Sequence, residues 1–160
     1  MKILIDGYNL LHASGVFGDV RGPGGFEASR RALLDALVAM LGDQRHGVTI
    51  VFDAADAPPG LPERSSHDGI DVRFARDYPN ADACIEDLIE EHDSPSALTV
   101  VSADNRIIAA ARRRRAKAVS SHEWFADLRA ARRTRDAGDT KPGPPEDDGE
   151  VARWLREFGY

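Results

Sequence analysis

Four aspartates of this chain stand where α/β proteins carry out chemistry. Asp6 closes the apolar run Ile3-Leu4-Ile5, Asp53 closes Val48–Phe52, and Asp104 follows Leu98–Val101 across Ser102-Ala103. Each run is short and apolar, rich in β-branched residues and stopped by polar residues, so each predicts a buried strand rather than a helix. Sites in open α/β sheets form outside the carboxyl ends of the strands. Three carboxylates therefore fall on one sheet edge. Asp82, near the start of a predicted helix, faces the same edge. An isolated Asp-Gly such as Asp6-Gly7 is only a turn, with Gly7 letting the backbone bend sharply. Several acids converging without Lys or Arg in their motifs repel one another unless a cation sits among them. Mg2+ or Mn2+, which prefer hard carboxylate ligands, meet that need. Such an ion activates water and stabilises charge at phosphorus. No His/Cys cluster has zinc spacing and no Ser-His-Asp arrangement is suggested. Neither Gly-x-Gly-x-x-Gly nor a Walker A lysine loop follows the first strand, which argues against a nucleotide-cofactor enzyme.

The elements that must position these acids alternate. The expected strands are Ile3–Ile5, Val48–Phe52, Ile70–Ala75 as an edge strand, Leu98–Val101 and Ala118–Val119. Between them fall helices over 27–42, ended by Gly42, over about 81–92, capped by Asn80, and over about 105–115. Ser120-Ser121-His122-Glu123 has capping-box spacing and opens a helix through about Arg135. Residues 15–25, with Gly18, Gly22, Pro23, Gly24 and Gly25, read as a loop whose Arg21 can reach a phosphate. Alternating strands and helices imply right-handed crossovers and a parallel sheet. The fold class is α/β: a three-layer, Rossmann-like domain with a central, mostly parallel sheet of about five strands. This domain spans 1–135. Residues 136–149, rich in Gly, Pro, Asp and Glu without a large apolar residue, read as a flexible linker. Residues 150–160 carry Val151, Trp154, Leu155 and Phe158 on one helical face and read as a docking helix.

The net charge of −6 is unevenly spread. Residues 106–135 hold ten Lys and Arg against two acids, Glu123 and Asp127, so this segment carries +8 and the remainder −14. A basic segment on an acidic protein suits a polyanion, or is a solvated helix surface. Cys84 is the single cysteine, so no internal disulfide forms and a reducing compartment fits. No run reaches transmembrane length and no signal-peptide pattern opens the chain. The expectation is a cytoplasmic protein with no membrane contact. Its oligomeric state is left open.

The motifs Ile-Leu-Ile-Asp-Gly-Tyr-Asn-Leu-Leu, Val-Phe-Asp-Ala, Ala-Asp-x-x-Ile-Glu-x-Leu and Val-x-Ser-Ala-Asp-Asn occur in this order. Together they resemble the bacterial YacP-like group of NYN domains, in the PIN-like nuclease superfamily, over residues 1 to about 135. The closing Val-Ala-Arg-Trp-Leu-Arg-Glu-Phe-Gly resembles a tail of that group. The resemblance implies a metal-dependent ribonuclease acting on single-stranded RNA, in some members on ribosome-associated messenger RNA. It makes Asp6, Asp53, Asp82 and Asp104 the metal-binding centre, with Asn9 orienting a ligand or phosphate. Ser102 supports Asp104 by a hydrogen bond, and Glu86 stands in support or on a solvated face. The alternative is a non-catalytic RNA- or ribosome-binding module that keeps the fold.

Arg106, Arg129, Arg132 and Arg133 join Arg21 as candidate RNA contacts. The run Arg112–Arg115 spreads around a helix and cannot all face one ligand. Arg129, Arg132 and Arg133 share a helical face. Phosphate contacts position the backbone without reading sequence. Replacing Arg129 and Arg132 with Ala is expected to weaken RNA binding across all sequences. Each lost contact lowers the slope of log affinity against log salt by roughly 0.7 for a single strand. RNA binding at several salt concentrations, with Ca2+ to block turnover, checks this. An unchanged slope returns the segment to a solvated surface.

Overall fold

The computed structural model describes residues 2–15, 23–54, 60 and 62–139. Its centre is a six-stranded sheet in the order β3-β4-β2-β1-β5-β6. The strands are β1 (Lys2–Asp6), β2 (Val48–Phe52), β3 (Arg64–His67), β4 (Ile70–Phe74), β5 (Leu98–Val101) and β6 (Lys117–Val119). All neighbours are parallel except β3, which runs antiparallel to β4. The helices are α1 (Gly7–Ser14), α2 (Pro23–Leu41), α3 (Ala81–Glu91), α4 (Asn105–Arg113) and α5 (Ser121–Asp139). The chain divides into two compact units, Met1–Arg129 and Ala130–Tyr160. Of the second, the end of α5 is described, where the Thr134 hydroxyl donates to the Ala130 carbonyl at 3.1 Å.

The central strands are apolar on both faces because helices cover both. Ile5, Ile50, Phe52 and Val101 pack with Leu10 and Leu11 of α1, Leu33 and Leu37 of α2, and Phe125 of α5. Leu4, Val51 and Val100 point the other way and pack with Ile85 and Ile89 of α3 and Ile107, Ala110 and Ala111 of α4. Period-two alternation of the strands therefore sorts neighbouring residues between two helical layers. Strands are added on one side of β1 up to β4, and then the chain returns to place β5 on the other side. Connections leave β1 and β5 in opposite directions, which opens a crevice at their carboxyl ends. Asp6 ends β1 and Asp104 caps α4 just beyond β5.

Several expectations are corrected. The sheet has six strands, and Ile70–Phe74 is covered by β3 rather than lying at the edge. The polar edge strand Arg64-Ser65-Ser66-His67 shows no apolar alternation. Its hairpin turn is Asp68-Gly69, with φ of 49° and 98°, a pairing that favours a two-residue hairpin. The stretch after Asp6 is a helix, where Asp6-Gly7 alone reads as a turn. Gly7 is its first residue, and its φ is not positive. Glycine is needed there for space, because a Cβ would lie 2.5 Å from the Phe52 ring and 2.7 Å from the Val51 carbonyl oxygen. α2 begins at Pro23, within the expected loop, where proline's fixed φ suits a first helical residue. Gly42 does end α2, in the left-handed region at φ 56°, and a 3-10 turn over Gly42–Gly47 follows. α4 stops at Arg113, and Arg115 has φ 61°, so the arginine run leaves the helix. α5 continues to Asp139, four residues past its expected end. Arg21 and the docking helix at 150–160 lie outside the described residues.

Gly7→Ala is expected to destabilise the protein by about 2 kcal/mol, because overpacking against Phe52 and a backbone oxygen outweighs alanine's better helix propensity. Urea denaturation checks this, and an unchanged midpoint would show that α1 shifts freely on the sheet.

Candidate active site

Asp6 is 7% exposed, and Ser102, across the crevice, is fully buried. The Ser102 hydroxyl donates to Asp6 Oδ2 at 2.9 Å and accepts from the Asp104 backbone N–H at 3.1 Å. One hydroxyl thus ties the end of β1 to the segment after β5. The expected link from Ser102 to Asp104 exists, but it reaches the backbone amide, and the carboxylate it holds belongs to Asp6.

Asp104 is the N-cap of α4, and its Oδ1 accepts from the Arg106 N–H at 2.8 Å. Capping uses one carboxylate oxygen and leaves the other for the crevice. Asp82 stands in the first turn of α3, whose cap is Asn80, accepting from the Ala83 N–H at 2.9 Å. Burial lifts the Asp82 carboxyl above its usual range, and the charge and a hydrogen bond of Asp104 lift it further. Burial also lifts Asp6, to about 6. The Ser102 hydrogen bond opposes this, the charges of Asp82 and Asp104 add to it, and the nearby Asn9 N–H favours the charged form without completing a cap.

Asn9 projects from the first turn of α1. Its Oδ1 accepts from the Ala103 N–H at 2.9 Å and from the Ser121 hydroxyl at 2.5 Å. The Ala103 donor fixes which end of the amide is oxygen. The Nδ2 donor is therefore turned away from these two bonds. Ser121, fully buried at the start of α5, escaped the sequence reading, which saw only a capping box. Ser120 does cap, accepting from the Glu123 N–H at 3.2 Å. Of two consecutive serines, one caps the helix and the other anchors Asn9.

At the rim, Arg106 donates through Nε to Glu86 Oε1 and through a terminal nitrogen to Glu86 Oε2 at 3.2 Å. Glu86 is thus the partner of Arg106, and Arg106 enters as part of an ion pair instead of a free phosphate contact. Asp53 stands half-buried beyond β2, and the carboxylates raising Asp6 are Asp82 and Asp104. Arg129 lies on α5 with its guanidinium 6.0 Å from the Phe125 ring centre. Arg132 and Arg133 lie on the part of α5 within the second unit. The Arg114 guanidinium is used structurally, donating to the His92 carbonyl at 2.9 Å.

The donor set of Asp6, Asp82 and Asp104 is hard oxygen, partly buried and self-repelling, and so fits a divalent cation such as Mg2+ or Mn2+. Among the described residues, the trio whose ligand atoms all lie within 4.8 Å of one another is a different one, Asp35, His67 and Asp68. It lies at the amino-terminal edge of the sheet, where His67 meets the start of β4. There His67 Nε2 and Asp35 Oδ1 are 2.8 Å apart, a hydrogen bond that accounts for their approach without an ion. The Asp6 set lies at the switch point, and Asp6 is held there by the buried Ser102 hydroxyl, which favours it as the candidate centre. A cleft of about 510 Å3 lined by Lys2, Arg73, Leu88 and Glu91 opens at the end of β1 remote from Asp6.

The family described as YacP-like NYN domain matches residues 3–149. Two solved structures of Rae1 (YacP) from Bacillus subtilis are similar in fold. A single-residue variant is 24% identical with a TM-score of 0.64, covering 87% of this chain and 85% of that one. The other is 24% identical with a TM-score of 0.61, covering 99% of this chain and 92% of that one. No curated protein compared with the chain matches it.

A carboxyl whose pKa is raised on folding supports the folded state below its unfolded value, and that support is lost as pH rises through the folded value. Asp6, raised from 3.8 to about 6, is therefore expected to make the metal-free protein less stable between about pH 4 and pH 6 as pH rises. Asp6→Asn removes this trend and is expected to be more stable at pH 8, by at most about 3 kcal/mol. Denaturation in EDTA across pH checks this. Equal pH profiles for the two proteins would show that Asp6 keeps an ordinary carboxyl pKa.

Proposed function

Because the chain belongs to the YacP-like NYN domain family, a nuclease-like family, we propose that it is a metal-dependent endoribonuclease hydrolysing phosphodiester bonds of single-stranded RNA. The observation that carries this reading is the convergence of Asp6, Asp82 and Asp104 at the switch point, tied across it by the buried Ser102 hydroxyl. Asp6, Asp82 and Asp104 would hold Mg2+ or Mn2+, with Asp53 from the neighbouring strand end. A bound ion supplies activation of water and charge stabilisation at phosphorus. The chain's own groups do the rest. Ser102 keeps the Asp6 carboxylate aimed into the crevice. Asp82 and Asp104 bring two further carboxylates to it from the starts of α3 and α4. Asn9, its oxygen fixed by Ala103 and Ser121, offers Nδ2 to a phosphate oxygen.

Single-stranded RNA fits because a sheet-edge crevice admits a flexible phosphodiester without reading base edges. Arg21, Arg129, Arg132 and Arg133 are the proposed backbone contacts. Ribosome-associated messenger RNA is the proposed substrate and the cytoplasm the proposed location. Among the described residues no helix is long and apolar enough to cross a membrane. The proposed layout is a nuclease domain over 1–135, a linker over 136–149 and a docking helix over 150–160, with residues 136–139 of that linker continuing α5.

Asp104→Asn tests the centre cleanly. Asparagine caps helices as well as aspartate, so α4 keeps its start while the site loses a charge. Cleavage of single-stranded RNA with Mn2+ is expected to fall on the order of 100-fold or more, with RNA binding in Ca2+ retained. Undiminished cleavage would remove Asp104 from the centre. A wild-type protein that binds RNA but does not cleave it would be a binding module on a nuclease fold.

A further inference from the structure

The Arg106–Glu86 pair lies on the two helices that carry the crevice acids. Glu86 is one helical turn after Asp82 on α3, and Arg106 is two residues after Asp104 on α4. Residues four apart share a helix face, so Glu86 stands beside Asp82. The Arg106 backbone N–H is bonded to Asp104, which places the root of its side chain against the crevice. Its guanidinium is turned to Glu86 and donates to both carboxylate oxygens. The Arg106 side chain is 52% exposed and that of Glu86 24%, so the pair sits at the rim. The charge of Arg106 is felt at both Asp82 and Asp104.

A guanidinium carries five donors and suits carboxylates better than any other cationic side chain. Beside Asp82 and Asp104 it has three acidic partners to choose from. Were it to fall onto the two aspartates, it would neutralise the charge that a divalent cation needs and would occupy their oxygens. We propose that Glu86 is a positioning residue that holds Arg106 off Asp82 and Asp104, keeping those carboxylates open to a divalent cation. This rests on the reading of Asp6, Asp82 and Asp104 as a metal centre, but not on any nuclease activity. It gives Glu86 a task distinct from ligation, and it makes Arg106 a competitor of the metal whenever Glu86 is lost.

Mn2+ binding to the full chain tests this, read by calorimetry and by the paramagnetic signal of free Mn2+. His67→Ala is carried in every protein so that the group at Asp35, His67 and Asp68 does not contribute. Five proteins are compared: the wild-type pair, Glu86→Gln, Arg106→Gln, both changes together, and Asp6→Asn. Glu86→Gln is expected to weaken Mn2+ binding about fivefold while Arg106 is present, because the freed guanidinium competes for the aspartates. In the Arg106→Gln protein the same change is expected to alter affinity by less than about twofold, since no competitor remains. Equal losses in the two backgrounds would overturn the proposal and leave Glu86 as a distant charge or a direct ligand. If neither the pair nor Asp6→Asn alters Mn2+ binding, the metal-centre reading itself fails. If Asp6→Asn abolishes binding while the pair shows no coupling, only this proposal fails.

Discussion

Burying a carboxylate costs several kcal/mol unless hydrogen bonds replace its water, and Asp6 is buried at the end of the strand in the middle of the sheet. The Ser102 hydroxyl makes that placement tolerable. It gives its proton to Asp6 and takes one from the Asp104 amide, so a single side chain satisfies itself while linking β1 to β5. Neither strand end is free to drift without breaking a buried bond. Burial still pushes the Asp6 carboxyl up to about 6, so the hydrogen bond offsets only part of the desolvation. Folding here holds a carboxyl where its charged form is disfavoured, the mark of a candidate functional site.

The surrounding elements serve that arrangement. Gly7 lets α1 leave β1 immediately, because any side chain there meets the Phe52 ring. The early start of α1 places Asn9 one helical turn past Asp6, where its oxygen collects Ala103 and Ser121. Those bonds bring together the ends of β1, the loop after β5 and the start of α5. Asp104 caps α4 and Asp82 opens α3, so two helix starts face the crevice along with their acids. The two helix dipoles offset part of the repulsion between the carboxylates.

The strand ending in Asp6 and the strand preceding Asp104 were legible because both faces of each are buried and their apolar runs are unbroken. The crevice followed from strand alternation, which needs no long-range information. Arg64–His67 was not legible as a strand, because an edge strand of polar residues lacks a periodic signal. The Asp68-Gly69 pair was the cue passed over. α1 was missed because Gly7 read as a turn, when its role is to allow close packing, which depends on Phe52, 45 positions away in sequence. The acids could be named from their strand ends, but the partner of each could not. Ser102 looked like a support for Asp104 because they are two residues apart, whereas its carboxylate partner is 96 residues away. Arg106 looked like a free cation for the same reason, its partner Glu86 lying on another helix.

The opposed charges of the chain have a consequence for any nucleic acid it handles. A centre made of aspartates repels a phosphodiester, so electrostatic attraction must come from elsewhere or from a cation held among the acids. Residues 106–135 concentrate positive charge, yet parts of it are already used: Arg106 on Glu86 and Arg114 on the His92 carbonyl. Composition therefore overstates the cationic surface. On the proposed reading, a backbone drawn to the arginines of α5 would be attracted over a distance set by salt. A phosphate approaching Asp6 is attracted only when the acids have first been neutralised. These two attractions answer to different variables, ionic strength for the helix and divalent ion concentration for the crevice. On the proposed reading, this division would separate the affinity for RNA from the chemistry done on it, so that substitutions in α5 and in the crevice would change one without the other.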